Sequence, residues 1–454
     1  MALPLRRSGE SGVDLLRDNF RAAWSRSDEI FAILPNSELL AQPIVWRHPF
    51  IFYVGHLPAF SWNQICGGVL RWPSFNPYFD ELFCRGIDPD VDTGECHWHP
   101  DVPERWPSLP ETVYYRDKVR GAILDAVDAL SYCRSDDVMA QGGRALLMVL
   151  EHEYMHHETL LYMMQQLSMR QKIRPRHPVR YSFQSMRVSE WLRIPKGRAC
   201  LGANFDELSF GWDNEFEQTV VDVPSFTIES LPVTNGQFNE FVSSGAYDDA
   251  RYWRPEDWRW KQLENKRHPT CWVEQTDGWF YRTMFDIFPL AQVASWPVYV
   301  SLAEARAYTA WRGKRLPSEA EYQRAAFYGP DERETQYPWG DDAPARQHGN
   351  FDFNSWSPTP VGSSPAGASR WGVHELVGNG WELTDSPFAP LPGFKTYMSS
   401  YPDYSKDFFD GKHFVVKGAS WATDVGLLRP SFRNWYQAHY PYVFAKFRCV
   451  SKIN

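Results

Sequence analysis

The sequence predicts two unlike halves, a bundle of four helices followed by an irregular α+β domain. Three observations carry this. Apolar residues recur at helical spacing to about residue 170, a basic stretch with prolines covers 170–190, and short strand-length apolar runs between Gly, Pro, Asn and Asp turns follow. At 454 residues the chain has room for two or three domains with sizeable cores.

In the first half, Leu15, Leu16, Phe20, Ala23 and Trp24 fall at helical spacing, as do Val119, Ile123, Leu124, Val127 and Leu130. The clearest helix runs over about 143–169. Its Leu146, Leu147, Val149, Leu150, Tyr154, Leu160, Leu161 and Met164 cover most of the circumference, which puts it at the centre of a bundle. His56, in Tyr53-Val-Gly-His-Leu57, opens a further helix that includes Phe60 and Trp62. In the second half, Phe226-Thr-Ile and Phe414-Val-Val read as strands, with short helices near 234–243 and 301–312. The expected domains are 1–175, helical; 176–190, linker; and 191–454, α+β.

A net charge of -9 argues against a nucleic-acid or anionic-membrane surface. No stretch is long and apolar enough to span a bilayer, and the N-terminus lacks the apolar core of a signal peptide, so a cytoplasmic protein is expected. The seven cysteines are scattered without a Cys-x-x-Cys pair, which excludes a disulfide framework or zinc ribbon. The 21 Trp, 22 Tyr and 29 Phe suit a loop-rich fold pinned by large side chains, and aromatic walls suit a cationic ligand.

The chemistry concentrates in Glu151-His-Glu-Tyr-Met-His-His-Glu158. On a helix His152 and His156 stack on one face, as two ligands of one metal ion must. Two buried core histidines would be the plainer explanation, but His157 and the flanking glutamates crowd too many polar groups into one turn. As His-Glu-x-x-His the stretch is a zinc-peptidase motif with Glu153 as general base. As His-x-x-x-His-x-Glu it is a pair of iron ligands with the carboxylate of Glu158 beside them. A third ligand is required either way. The metzincin extension fails, because Thr159 and Tyr162 stand where Gly and His are needed. Glu190, His56, and the Cys96-His-Trp-His99 cluster with its His97 and His99 are the alternatives by spacing.

His56 followed by His152-x-x-x-His156-x-Glu158 resembles the helical, DinB-like iron-binding domain of the ergothioneine-pathway sulfoxide synthases. The second half resembles the formylglycine-generating-enzyme (sulfatase-modifying-factor) fold, a C-type-lectin-like α+β domain. Pro232-Val-Thr-Asn-Gly-Gln-Phe238, Trp311-x-Gly-Lys-Arg-Leu-Pro-Ser-Glu-Ala-Glu321, Tyr337-Pro-Trp-Gly340, Val377-Gly-Asn-Gly-Trp-Glu382, Lys417-Gly-Ala-Ser-Trp421 and Phe447-Arg448 carry that likeness in order. The resemblance implies that His56, His152 and His156 hold Fe(II), with His157 and Glu158 as neighbours and Glu153 as a salt-bridge or surface group. It implies an O2-dependent reaction joining a sulfur or selenium donor to the imidazole ring of hercynine. Asn434, Trp435 and Tyr436, with Met155, then fall in the substrate pocket. Tyr397 or Tyr401 serves as proton donor. Asn379 and Glu382 are candidate ligands of a structural Ca2+. Arg448 is expected in a buried charge-assisted bond. Cys449 stands alone, so the copper chemistry of true formylglycine-generating enzymes is not expected.

The segment after Asn434-Trp435 departs from family members that use γ-glutamylcysteine. Tyr436, Gln437, Ala438, His439, Tyr440 and Pro441 replace an acidic residue and the arginines that clamp the donor's charged ends. Met155 replaces a hercynine-binding glutamine, and the methyltransferase domain of the ovothiol branch is not expected. A neutral selenosugar, as in the similar selenoneine synthases, or a plain thiol such as cysteine is the expected donor. The Tyr, Gln and His side chains suit sugar hydroxyls.

Overall fold

The computed structural model describes residues 12–84, 103–131, 136–176, 179–402 and 404–453. Cys96, His97, His99 and Cys133 lie outside the described residues. The chain forms two compact units. The first is the chain up to Arg176 joined by two later segments, Asp206–Asp213 and Lys395–Lys406, and the second is the remainder.

Among its described residues the first unit has four long helices, α1 (Gly12–Phe31), α2 (Phe50–Ser61), α4 (Leu109–Ser131) and α5 (Arg144–Gln166), and a short α3 (Pro77–Leu82). α1 and α2 each pack on both α4 and α5, which makes the four-helix bundle. α1 buries Phe20, Ala23, Trp24, Ser27 and Ile30, a single stripe at helical period. α2 is buried at every position, and it begins at Phe50 rather than at His56. Its opening Phe-Ile-Phe-Tyr-Val has no polar face, so no helical period shows there. After Ser61 the helix widens into a π-helical stretch, Trp62–Val69. Asn76 caps α3 by accepting from the Phe79 N–H, with Pro77 in the first turn. α5 starts after Gly142 and Gly143, whose φ of 62° and 69° favours residues without a Cβ.

The second unit opens with β1 (Trp191–Ile194), β2 (Gly197–Leu201), β3 (Thr219–Val223), β4 (Phe226–Glu229), α6 (Asn235–Ser243) and α7 (Pro255–Leu263). It continues through β5 (Trp272–Gln275), β6 (Gly278–Arg282), β7 (Ile287–Pro289), α8 (Leu302–Trp311) and α9 (Glu319–Phe327). It ends in β8 (Gly380–Pro387), β9 (His413–Ala419), β10 (Asn434–Gln437), β11 (Ala445–Lys446) and β12 (Val450–Lys452). Four small sheets result, ordered β1-β4-β12, β10-β9-β8-β11, β2-β3 and β5-β6-β7. In the second of these, Asn434, Trp435 and Tyr436 pair with Val416, Val415 and Phe414. The motifs at 232–238 and 311–321 build capping boxes: Thr234 with Gln237 starts α6, and Ser318 with Glu321 starts α9. Residues 180–183, inside the stretch expected to be a linker, are tied down. Trp296 Nε1 donates to the Ser182 carbonyl at 2.9 Å, and Phe183 stacks on the same indole.

Glu382 is wholly buried and takes Arg448 Nε at 2.7 Å and Lys446 Nζ at 3.0 Å. Arg448 thus makes the buried charge-assisted bond expected of it. The same pairing corrects the calcium expectation. Two cations already hold the Glu382 carboxylate. Asn379 Oδ1 accepts from the Thr359 N–H at 2.8 Å and from Asn350 Nδ2 at 3.1 Å, so neither side chain has oxygen to give a divalent ion. Among the described residues no helix is long and apolar enough to cross a membrane.

Removing one partner of a buried ion network leaves the others uncompensated. Glu382→Gln should therefore lower unfolding free energy by roughly 3 kcal/mol in a denaturant titration. A midpoint matching wild type would show that the network carries no net stability.

Candidate metal centre

Three imidazoles from two helices converge in the first unit. His56 comes from α2, His152 and His156 from α5, and one nitrogen of each lies within 4.8 Å of the others. His152 Nε2 and His156 Nε2 are 3.1 Å apart. Two nitrogens each about 2.1 Å from one ion are about 3 Å apart at right-angle coordination, so the pair fits a shared metal. His56 Nδ1 is 2.7 Å from the Phe83 carbonyl. A carbonyl only accepts, so Nδ1 carries the proton and Nε2 is left as the ligand atom. His156 Nδ1 is buried without a hydrogen-bond partner among the described residues. This donor set suits a borderline first-row divalent metal.

All three rings are held neutral. Burial pushes His56 down to about 4, with the Phe83 carbonyl opposing. Burial and then the neighbouring imidazoles push His152 well below its ordinary value, and burial, His56 and Arg47 do the same to His156. Lone pairs are thus available without a proton first having to leave.

α5 carries a second pair one residue on, which faces α1. The Ser27 hydroxyl is hydrogen-bonded to Glu153, and His157 Nε2 lies 2.9 Å from the same oxygen. Ser27, Glu153 and His157 are all buried. This corrects the expectation that Glu153 is a surface or salt-bridge group. Its carboxyl is shielded from water, and burial raises its pKa. Glu158 is also buried on α5 and stands outside the convergent set of three.

Aromatic rings enclose the histidines. Phe60 stacks on His152 at 3.6 Å, Phe52 stacks on His56 at 5.0 Å, and the Tyr53 ring is 5.7 Å from His156. The two late segments of this unit add more. Tyr401 meets Phe60 edge-on at 5.4 Å. Tyr404 stacks on Trp212 at 4.0 Å and donates to Met155 Sδ at 3.7 Å. Trp212 Nε1 donates to Glu151 at 2.9 Å. The Tyr397 hydroxyl is bound to the Gly211 carbonyl. Tyr401, one of the two tyrosines expected as proton donors, thus rests on a ring that stacks on His152.

Asn434, Trp435 and Tyr436 stand on β10 of the second unit. Trp435 stacks on Phe388 at 4.2 Å, Asn434 Oδ1 accepts from the Trp435 N–H at 2.9 Å, and Tyr436 stacks on Tyr440 at 5.8 Å. His439 corrects a further expectation. Its Nε2 is 2.9 Å from Asp257 and its ring lies flat on Trp260, so it is a buried structural group and not a sugar-binding one. Ser27, the Phe83 carbonyl and the Glu151–Trp212 bond escaped sequence reasoning. Glu151 is a visible polar residue in an apolar helix, but nothing in the chain pairs it with Trp212, and a backbone carbonyl leaves no sequence signal.

Residues 179–453 match the sulfatase-modifying factor enzyme 1-like domain family, and residues 19–160 match the DinB superfamily. The hercynine oxygenase of Mycobacterium tuberculosis is 35% identical, over 75% of this chain and 77% of its own length. That of Mycolicibacterium thermoresistibile is 36% identical, over 74% and 73%. Ergothioneine biosynthesis protein 1 of Neurospora crassa is 30% identical over 96% of this chain, which spans 57% of that longer protein.

Between pH 6.5 and 4 an unfolded chain protonates His56 while the folded chain keeps it neutral, so this histidine opposes folding as pH falls. Relative to His56→Gln, metal-free wild type should lose about 3 kcal/mol of stability between pH 7.5 and 4, read from urea midpoints. Parallel pH profiles of the two proteins would contradict the burial of His56 as a neutral ring.

Proposed function

The chain belongs to the family of hercynine oxygenases and ergothioneine biosynthesis proteins, and from that premise we propose that it is a non-haem Fe(II)- and O2-dependent synthase acting on hercynine. The convergence of His56, His152 and His156, neutral and pre-oriented, is the observation that carries this reading. A ferrous ion held there would supply open coordination positions for the substrate imidazole, the chalcogen donor and dioxygen, and the electron transfer that joins them. The three histidines hold that ion. Tyr401 supplies a proton from its phenol oxygen, with Phe60 fixing the ring against His152. Asn434, Trp435 and Tyr436 bind substrate, the aromatic faces suiting the trimethylammonium cation, and Met155 is a separate substrate-binding candidate on α5.

The donor is a selenosugar, which makes the enzyme one of selenoneine synthase type. The absence of arginine from 436–441 supports this reading, because a charged γ-glutamyl donor needs forked guanidinium partners. The names of the relatives favour a second reading, a hercynine sulfoxide synthase using cysteine or another thiol. A zinc peptidase finds no support, since Ser27 engages the Glu153 that would have to act as base.

The donor is tested by reconstituting the protein with ferrous iron without air, then adding hercynine, O2 and competing selenosugar, cysteine and γ-glutamylcysteine. A selenium adduct should dominate the mass spectrum; a sulfoxide alone would return the protein to the sulfur branch. Tyr401→Phe should cut product formation about a hundredfold with iron content kept, whereas Tyr397→Phe should mainly lower Tm. Equal turnover in Tyr401→Phe and wild type would remove Tyr401 from the chemistry.

A further inference from the structure

Below Phe60, one turn along the same helix stripe, stands Gln64 in the π-helical stretch. It is 5% exposed, and its amide nitrogen makes a long contact of 3.4 Å to the Ser400 carbonyl. Its oxygen Oε1 is buried with no hydrogen-bond partner among the described residues, and the Ser400 hydroxyl oxygen is in the same condition. Ser400 lies against Gly68. A Cβ there would lie 3.4 Å from Ser400 Cβ and 2.7 Å from the Asn63 carbonyl. Ser400 immediately precedes Tyr401, whose ring rests on Phe60. Two residues joined at the Ser400 carbonyl thus each carry an orphaned oxygen, one of them next to the tyrosine in sequence and the other one turn from the ring that stacks on His152.

A buried polar atom without a partner costs about 1–3 kcal/mol, and native interiors hold few of them. Two on neighbouring residues, one turn from the ring that stacks on His152, point to an occupant. We propose that Gln64 and Ser400 form a clamp that binds an O–H or N–H group of the sulfur- or selenium-bearing substrate. The amide oxygen can only accept, and the serine hydroxyl can accept or donate. Neither carries charge, so the pair offers a carboxylate no cationic partner, and the group held at the Gln64 oxygen must bring its own proton. A sugar hydroxyl or the ammonium of a free amino acid meets that requirement. The clamp would orient the donor by its polar end. This inference rests on the function proposed above.

The iron-loaded full chain and its Gln64→Met and Ser400→Ala variants should be compared with hercynine, 1-thio-β-D-glucose and L-cysteine. KM from turnover and Kd from anaerobic calorimetry are both read. For at least one donor, both constants should rise roughly tenfold in each variant, while those for hercynine stay near wild type and iron content is kept. The donor affected identifies the source of the proton, thioglucose for a hydroxyl and cysteine for an ammonium. Equal losses for hercynine and donor, or no change for either donor, would mean that the two oxygens hold only a structural water and would overturn the clamp. Ser400→Ala removes one oxygen and little packing, so it decides the matter if Gln64→Met loses its fold. Wild type that makes no product from hercynine would defeat the proposed function, whereas active wild type with unaltered variants would defeat the clamp alone.

Discussion

Three imidazoles can be buried against one another only if all three are neutral. That constraint shapes the first unit. It needs ring nitrogens that neither carry charge nor lose their orientation, and the bundle meets it in two ways. Burial among Phe52, Phe60 and Tyr53 disfavours the protonated rings. The Phe83 carbonyl selects the His56 tautomer from the far side of the ring. α5 is held in turn by a second polar pair on its other side. Ser27 engages Glu153 and His157, one residue after His152 and His156. Since successive residues on a helix lie about 100° apart, a bond from α1 to the second pair also limits rotation of the first.

The helical unit is incomplete without chain that follows it by hundreds of residues. Asp206–Asp213 and Lys395–Lys406 join it, bound to each other through Tyr397 and Gly211, Trp212 and Tyr404, and Ser405 and Asp213. Trp212 anchors them to α5 through Glu151, and Gln64 meets them from α2's π-helical extension. Tyr401 is thus carried to Phe60 by a loop that is held at several points, which is how a loop residue keeps a defined place.

The second unit spends its charge differently. Glu382 with Lys446 and Arg448, Arg433 with Glu319, and Arg429 with Glu215 are buried or part-buried pairs inside irregular backbone. They satisfy carbonyls and carboxylates that short strands leave over. His439 with Asp257 belongs to the same class. Several motif residues that suggest a site therefore turn out to hold loops in place.

Helix content, the order of the two domains and the i, i+4 histidine pair were legible in the chain because each depends on local spacing. His152 and His156 meet on any helix, and residues 144–166 had no other way to bury their apolar side chains. The start of α2 was not legible, since a segment buried on every side shows no period. Nor were the fates of Glu153, Glu382 and His439. Each was visible as a polar residue in an apolar setting, but its partners lie far off in sequence: Ser27, Arg448 and Asp257. The same holds for the contacts of Tyr397 with Gly211 and of Tyr401 with Phe60. The sequence by itself determined which chemistry-bearing residues exist and which of them share a helical face. Only the tertiary structure decided which are spent on neighbours and which remain open to a ligand, because hydrogen bonds between distant segments form only after the helices and loops have packed.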